Sequence, residues 1–336
     1  MKSKMFSAVI ALVTVISSNQ YSGELLAQPP NQRPTKHVVA RENVSLVHPQ
    51  NQRWRFGMEI TSPGLTTGIS ATITLPLEWP EQKVVIVSQE KSDNVRPVRM
   101  RTLGNGVQQG IISITRLNPG ESAHVYFTID VERSIMEAPQ SISGLARPEI
   151  VPPAVRKYLL VSPFIEIRDP AIVKVSREVG YDAENDWQRA ELIYDWVRER
   201  IRYQFDEKQR GAAEALKIGV GDCEELTSLF IAMCRNNGIP ARAVWIPGHC
   251  YPEFYLENAA GQGFWFPCQA AGTRAFGAMP EYRPVLQKGD SIRVPGNSRP
   301  QRYVAETLKA VKATANPVVK FIRERVDTEN QPTPDQ

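Results

Sequence analysis

The chain has 336 residues, enough for about two domains, and its 42% hydrophobic and 23% charged composition suits a globular protein with a sizeable core. A net charge of only +4, with no long basic run, excludes the electrostatic footprint of a nucleic-acid-binding protein.

Residues 1–27 read as an export signal. Lys2 and Lys4 precede an apolar, uncharged run from Met5 to Ser17, and Leu25-Leu26-Ala27 supplies a small residue at a cleavage point. The run falls short of the ~20 residues that a spanning helix needs. An uncleaved anchor is the alternative. No cysteine follows the run directly, which argues against a lipid anchor. No other segment is apolar for long enough to span a bilayer. The mature chain is therefore expected in the periplasm, the envelope or the extracellular space, without a membrane span and where disulfides are permitted.

Residues 28–50 are polar and carry Pro29, Pro30, Pro34 and Pro49, and read as a linker. From 51 to 140 the pattern has period two. Trp54, Phe56, Met58 and Ile60 alternate with polar residues, as do Ile69, Ala71, Ile73 and Leu75, and Ala123, Val125, Phe127, Ile129 and Val131. Ser62-Pro63-Gly64, Gly104-Asn105-Gly106 and Asn118-Pro119-Gly120 punctuate these runs, which predicts an all-β, sandwich-like domain. His124 falls on the polar parity of its strand and is expected at the surface.

A proline-rich crossing (Pro148, Pro152, Pro153, Pro163) leads into a second domain over 150–275. Asp169-Pro170 opens a helix that Gly180 closes. A second helix covers Asp186 to Arg200, with Trp187, Ala190, Tyr194, Val197 and Ile201 on its core face. Beyond it, Asp222 and Glu225 form a capping box that puts Cys223 at the first position of a helix stopped by Asn237-Gly238. Leu226, Phe230, Met233 and Cys234 continue the buried stripe that carries Cys223. Residues 276–326 read as a C-terminal extension. It ends in a helical stretch from Tyr303 to Val326, interrupted by Pro317, and 327–336 read as a disordered tail.

A cysteine at a helix N-terminus sits where unpaired N–H groups and the positive end of the dipole favour a thiolate. A buried structural cysteine is the other reading. If Cys223 pairs with a histidine of its own domain, that histidine is His249, the only one after His124. Period two puts His249, Tyr251, Glu253 and Tyr255 on one strand face and Cys250, Phe254 and Leu256 on the other. A hairpin with the strand Phe264 to Gln269 pairs Leu256 with Gln262 or with Phe264. The first register sets His249 opposite Gln269 and Cys250 opposite Cys268; both keep Gln269 and Trp265 on the His249 face. Gln269 is thus available to orient the imidazole. Cys250 and Cys268 are expected side by side on the face turned away from the site, as a disulfide or as two free thiols. Cys234 lies about 16 Å from Cys223 along one helix, too far to bridge, and is expected in the core.

Gly221-Asp222-Cys223, the run Leu229 to Arg242 with Cys234-Arg235 and Gly238-Ile239-Pro240-Ala241-Arg242, His249 with Glu253, and Trp265-Phe266-Pro267 closely resemble the transglutaminase-like superfamily. Ala190 to Val197 and Ile201-Arg202-Tyr203 are similar to its helical lead-in. The resemblance spans about Pro163 to Gln269. It implies an α+β fold, a papain-like transglutaminase core preceded by the all-β domain, with a Cys-His-Asp triad. Here Gln269 stands where the resemblance places the aspartate of Trp-x-Pro-x-Asp. Its carbonyl can accept a ring N–H, and Nδ1–H is the expected one, but it brings no charge to the imidazolium.

The expected function is an exported thiol-dependent acyl-transfer enzyme acting on a protein or peptide substrate. Cys223 is its nucleophile, His249 its base and Gln269 the orienting group. Either a cysteine protease or amidase, or a transglutaminase, fits. A catalytically impaired binding or scaffold protein on the same fold is the alternative, and a structural envelope protein built around the β domain is a third. No cofactor is expected. No metal site is expected either, because the second domain has a single histidine and no Cys-x-x-Cys spacing. The sequence does not indicate an oligomeric state.

Overall fold

The computed structural model describes residues 39–41, 44–104 and 106–326. The export signal read at 1–27 and the tail at 327–336 lie outside them. The first part of the chain forms β1 (Val39–Arg41), β2 (Val44–Thr61), β3 (Thr66–Leu75), β4 (Gln82–Lys91), β5 (Arg99–Leu103), β6 (Val107–Leu117) and β7 (Ser122–Glu137). Two sheets pack face to face. One runs β1-β2-β7-β4, and the other contains β5, β6 and β3. The alternating residues of the sequence reading line the space between them: Phe56, Met58 and Ile60 from β2, Ile69, Ala71 and Ile73 from β3, and Val125, Phe127 and Ile129 from β7 are all buried. His124 lies on the other face of β7, its Nδ1 3.0 Å from Ser92 Oγ and its ring stacked on Tyr126.

The linker read as ending at residue 50 differs from the structure, in which β1 and the first turns of β2 already occupy part of it. β2 pairs with β7 along most of its length, with a register shift between Val47 and Gln50. Pro49 falls in that shift. A proline has no N–H for the ladder, so a strand that carries one must break its register there.

The second part begins with α1 (Pro153–Arg156) and a short 3-10 turn, followed by α2 (Pro170–Glu178), α3 (Asp186–Arg200), β8 (Arg202–Tyr203), α4 (Ala212–Ile218), β9 (Val220–Gly221) and α5 (Cys223–Asn236). An antiparallel sheet of β10 (Ala241–Ile246), β11 (His249–Glu257) and β12 (Gly263–Pro267) follows. The Asp169 carboxylate caps α2 by accepting from the Ala171 and Ile172 N–H groups, and Asn185 caps α3. Trp187, Ala190, Tyr194, Val197 and Ile201 are buried, as their spacing predicts. The sequence marks one buried stripe on α5, but every residue from Glu225 to Arg235 is buried. The helix is central: α2, α3 and α4 pack around it, and β10 and β11 close the remaining side. Trp187 is the aromatic hub of this core, edge-on to Phe254, Phe266 and Phe276.

The C-terminal region is not helical. It forms β13 (Gln287–Lys288), β14 (Thr307–Lys309), β15 (Lys312–Ala313) and β16 (Val318–Arg325). Ala305 to Ala313 is rich in good helix formers, but β14 and β15 add to the edge of β3, and β16 pairs with β2 over its whole length. Sheet edges with unpaired backbone groups outweigh the weak local preference. β13 bridges the two parts, bonding β10 on one side and β6 on the other, so that one sheet runs β12-β11-β10-β13-β6-β3-β14. A buried network of charged and polar groups gathers at the same seam. Lys288 Nζ lies 2.7 Å from Glu81 and 3.1 Å from Glu253, Arg242 pairs with Glu253, and Arg133 donates to the Tyr251 hydroxyl at 3.1 Å. Among the described residues, no helix is long and apolar enough to cross a membrane.

Candidate active site

Cys223 stands at the first position of α5, half-buried, and the capping box is present as read. The Asp222 carboxylate accepts the Glu224 N–H at 2.7 Å, and Glu225 Oε2 accepts the Asp222 N–H at 2.9 Å. The two glycines before it have separate reasons. Gly219 ends α4 in the left-handed region, at φ +73°. Gly221 lies against the capping glutamate, and a Cβ there would fall 2.5 Å from Glu225 Cβ.

His249 opens β11 directly after a tight turn from β10, with Ile246 as its pairing partner. Gly248 takes the positive φ of that turn, and Arg283, paired with Glu281 at 2.6 Å, donates to the Pro247 carbonyl at 2.9 Å. The imidazole lies beside the Cys223 thiol on one side and bonds Gln269 on the other. The Gln269 contact is 2.8 Å long, between Oε1 and Nε2 of the ring. This corrects the expectation that Gln269 would meet Nδ1. With Nε2 donating to the amide carbonyl, Nδ1 is the nitrogen left for the sulfur.

Gln269 is held from behind. Its N–H donates to the Ala275 carbonyl at 2.8 Å. Its own carbonyl accepts from the Tyr194 hydroxyl at 2.8 Å and from Arg198 at 2.9 Å, both on α3. The helix that shapes the core therefore also fixes the third member of the site.

The structure corrects the reading of Cys250. Leu256 pairs with Phe264, the second of the two registers, so Cys268 comes opposite Pro252, to whose carbonyl its N–H donates at 2.9 Å, and not opposite Cys250. Cys250 faces α5 and stands in the site. Its thiol donates to Thr227 Oγ1 at 3.7 Å, one helical turn beyond Cys223, and lies beside the Cys223 sulfur. All four cysteines are free. Cys234 is buried in the core as read, and burial pushes its thiol and that of Cys268 up.

These contacts set the charge state. The Cys250 thiol and then the His249 imidazole hold Cys223 well below the ordinary thiol range, against the cost of burial. Burial disfavours the His249 cation, but its bonds to Cys223 and Gln269 raise it overall. Burial, together with Cys223, keeps Cys250 protonated and so a donor. Burial and the neighbouring sulfur push the Asp222 carboxyl up to about 8. The arrangement favours a thiolate–imidazolium pair at a dipole's positive end.

Sequence reasoning missed three further features. Cys250 depends on which face of β11 packs against α5, which strand parity alone does not give. Arg302, buried, pairs with Glu224 on the first turn of α5 and donates to Ser228 Oγ at 3.0 Å; its distance in sequence from Cys223 hides it. Tyr203, in the parallel bridge β8–β9, sits opposite Gly221.

Residues 173–270 match the transglutaminase-like superfamily. Over this segment the chain is similar to that superfamily. The segment contains Cys223, His249 and Gln269, and the α+β fold agrees with the expected core. A solved structure of a putative cysteine protease from Cytophaga hutchinsonii is similar in fold to the whole arrangement. It superposes with a TM-score of 0.56 at 15% identity and covers 85% of this chain and 95% of its own. A putative protease from Parabacteroides distasonis, at 12% identity, covers 64% of this chain and 68% of its own with a TM-score of only 0.24, too loose to carry an argument. No curated protein matches the chain.

Proposed function

We propose that the protein is an exported thiol-dependent acyl-transfer enzyme that acts on a peptide or carboxamide carbonyl. The observation that carries the reading is the continuous contact from Cys223 through His249 to Gln269 at a capped helix N-terminus. The Cys223 thiolate attacks the carbonyl carbon. The resulting tetrahedral adduct collapses to a thioester as the His249 imidazolium gives its proton to the leaving amine. Neutral His249 then takes a proton from water, or from an acceptor amine, which attacks the thioester and releases Cys223. Gln269 keeps the ring in place through both steps. Water as acceptor makes the protein a cysteine protease or amidase, and an amine makes it a transglutaminase. The transglutaminase-like segment supports both.

Alkylation of Cys223 by iodoacetamide, followed by mass spectrometry, tests this. Selective labelling of Cys223 near pH 6.5 is expected. In His249→Ala the thiol loses its imidazolium partner and its pKa rises toward the ordinary thiol range, so labelling at that pH slows. Labelling that is unselective, or unchanged in His249→Ala, overturns the reading. A binding or scaffold role on the same fold is the second reading, and the uncharged Gln269 is the observation that favours it. Peptide turnover that persists in Cys223→Ala would favour neither. Export rests on Lys2, Lys4 and the apolar run after them, and the N-terminal sequence of the mature protein tests it.

A further inference from the structure

Nearby negative charge disfavours a thiolate, yet the turn of α5 that carries Cys223 also carries the carboxyls of Asp222, Glu224 and Glu225. Each is met differently. Glu225 accepts the backbone N–H of Asp222 at 2.9 Å and that of Arg210 at 3.0 Å. Asp222, pushed up to about 8 by burial and the neighbouring sulfur, carries little charge at neutral pH. Glu224 directly follows Cys223, and its carboxylate meets the guanidinium of Arg302. The guanidinium of Arg210, also near this turn, is paired with Asp206 instead. Across from the turn stand His249 and Cys250 on β11 and Tyr203 on β8.

Arg302 comes from outside the matched segment 173–270, in the stretch between β13 and β14. A backbone bridge between Ile292 and Gln301 fixes the chain beside it. Its side chain is built into place and only 4% exposed. One nitrogen donates to Glu224 and the other to Ser228 Oγ at 3.0 Å, so the guanidinium spans two successive turns of α5. Its central carbon lies 4.4 Å from the centre of the Phe164 ring and 5.8 Å from that of Trp245. Phe164 holds its ring there from a left-handed backbone, φ +65°, that a bulky residue rarely adopts.

We infer that Arg302 is a positioning residue of the acyl-transfer site: acting through Glu224, it cancels the carboxylate charge beside Cys223 and clamps the first two turns of α5. The inference rests on the thiol-enzyme reading above. It fixes the sign of two opposite effects. Without the guanidinium, the charge of Glu224 is left over and opposes the thiolate. Without the Glu224 charge, the guanidinium is left over and favours it. A bridge that served packing alone would be broken in both cases, and both would disturb Cys223 in the same direction.

The pH dependence of Cys223 alkylation by iodoacetamide, read by mass spectrometry, separates the two. Arg302→Met should move the inflection up and Glu224→Gln should move it down. Each shift should be about half to one pH unit, for charges within about 10 Å of the sulfur and partly screened by solvent. The double variant should return close to the unsubstituted protein. Arg302→Lys, which keeps the charge, should lie nearer to the unsubstituted protein than Arg302→Met does. Glu224→Gln keeps the size of the side chain, so its downward shift decides the matter if Arg302→Met does not fold. An inflection that stays or rises in Glu224→Gln, or that fails to rise in folded Arg302→Met, overturns the inference and leaves the thiol-enzyme reading standing. An unsubstituted protein whose Cys223 alkylates near pH 6.5 no faster than an ordinary thiol overturns that reading and this inference together.

Discussion

Replacing Gln269 by glutamate tests the charge balance of the site most directly. The side chain keeps its length, so a carboxylate oxygen takes the place of the amide carbonyl 2.8 Å from His249 Nε2. Two unit charges about 4 Å apart interact by about 4 kcal/mol at an effective dielectric of about 20. His249 and Gln269 are both partly exposed, which screens that figure. The difference between a charged and a neutral hydrogen bond, about 1–1.5 kcal/mol, is the firmer lower bound. It corresponds to about one pKa unit. His249 already titrates above its ordinary value, so Gln269→Glu should raise it by about one unit more. The sign follows: a raised histidine pKa favours the protonated ring, and the thiolate–imidazolium pair then persists to higher pH before it is lost. An NMR titration of the His249 ring measures the shift, and the alkaline limb of acyl transfer should move with it. Gln269→Asp should do less, because its carboxylate stops about 1.5 Å short, one C–C bond. An unchanged or lowered His249 titration in Gln269→Glu would refute the reasoning, because it would mean that the new charge does not reach the ring.

In the unsubstituted protein, acyl transfer should show a bell-shaped pH profile. Its acid limb falls well below about 8.5, where Cys223 loses its thiolate, and its alkaline limb lies above about 6.5, where His249 loses its proton. Cys250→Ala removes the donor that contributes most to the low Cys223 pKa; iodoacetamide profiles should show the inflection rising by up to about one unit, since S–H is a weak donor. Arg235→Met strands Asp290, whose carboxylate is 2.8 Å from the guanidinium and almost fully buried. A loss of about 3–5 kcal/mol is expected by urea denaturation, largely recovered when Asp290 is also made apolar. Gly221→Ala presses on Glu225 and breaks the capping box, so α5 should lose about 1 kcal/mol and Cys223 should alkylate more slowly.

The parts legible in the sequence are those where one local pattern is also the global one. The β2, β3 and β7 runs alternate because one face of each is buried, and the box Asp222-Cys223-x-Glu225 announces the start of α5 wherever that helix lies. Cys223, His249 and Gln269 were readable for the same reason: two are fixed by the helix start and by strand parity, and the third by its place after Trp265-Phe266-Pro267. What was hidden depends on partners distant in sequence. The Lys- and Ala-rich stretch after Tyr303 has helical composition, and only the free edges of β2 and β3 make it strand. Cys250 enters the site because its face of β11 packs on α5, while the pairing of Leu256 with Phe264, a two-residue difference that no local signal decides, takes Cys268 away from it. Which ring nitrogen faces the sulfur depends on the direction from which Gln269 arrives, and Tyr194 and Arg198 set that direction from another helix.

The seam built by β13 and β16 bears on when this protein becomes itself. The matched segment 173–270 contains the site, but three of its buried or half-buried charged groups are paired later in the chain: Arg235 at Asp290, Glu224 at Arg302, and Glu253, already beside Arg242, also at Lys288. β16 then returns to lie along β2, with Arg325 against Trp54 and Val318 against Thr61. Pairings of such long sequence separation close late, after local helices and hairpins have formed. A growing chain that has made Cys223, His249 and Gln269 therefore still lacks the partners of Arg235 and Glu224 and one of the two partners of Glu253. The segment that carries the site is therefore expected to reach its final packing only when the C-terminal strands arrive.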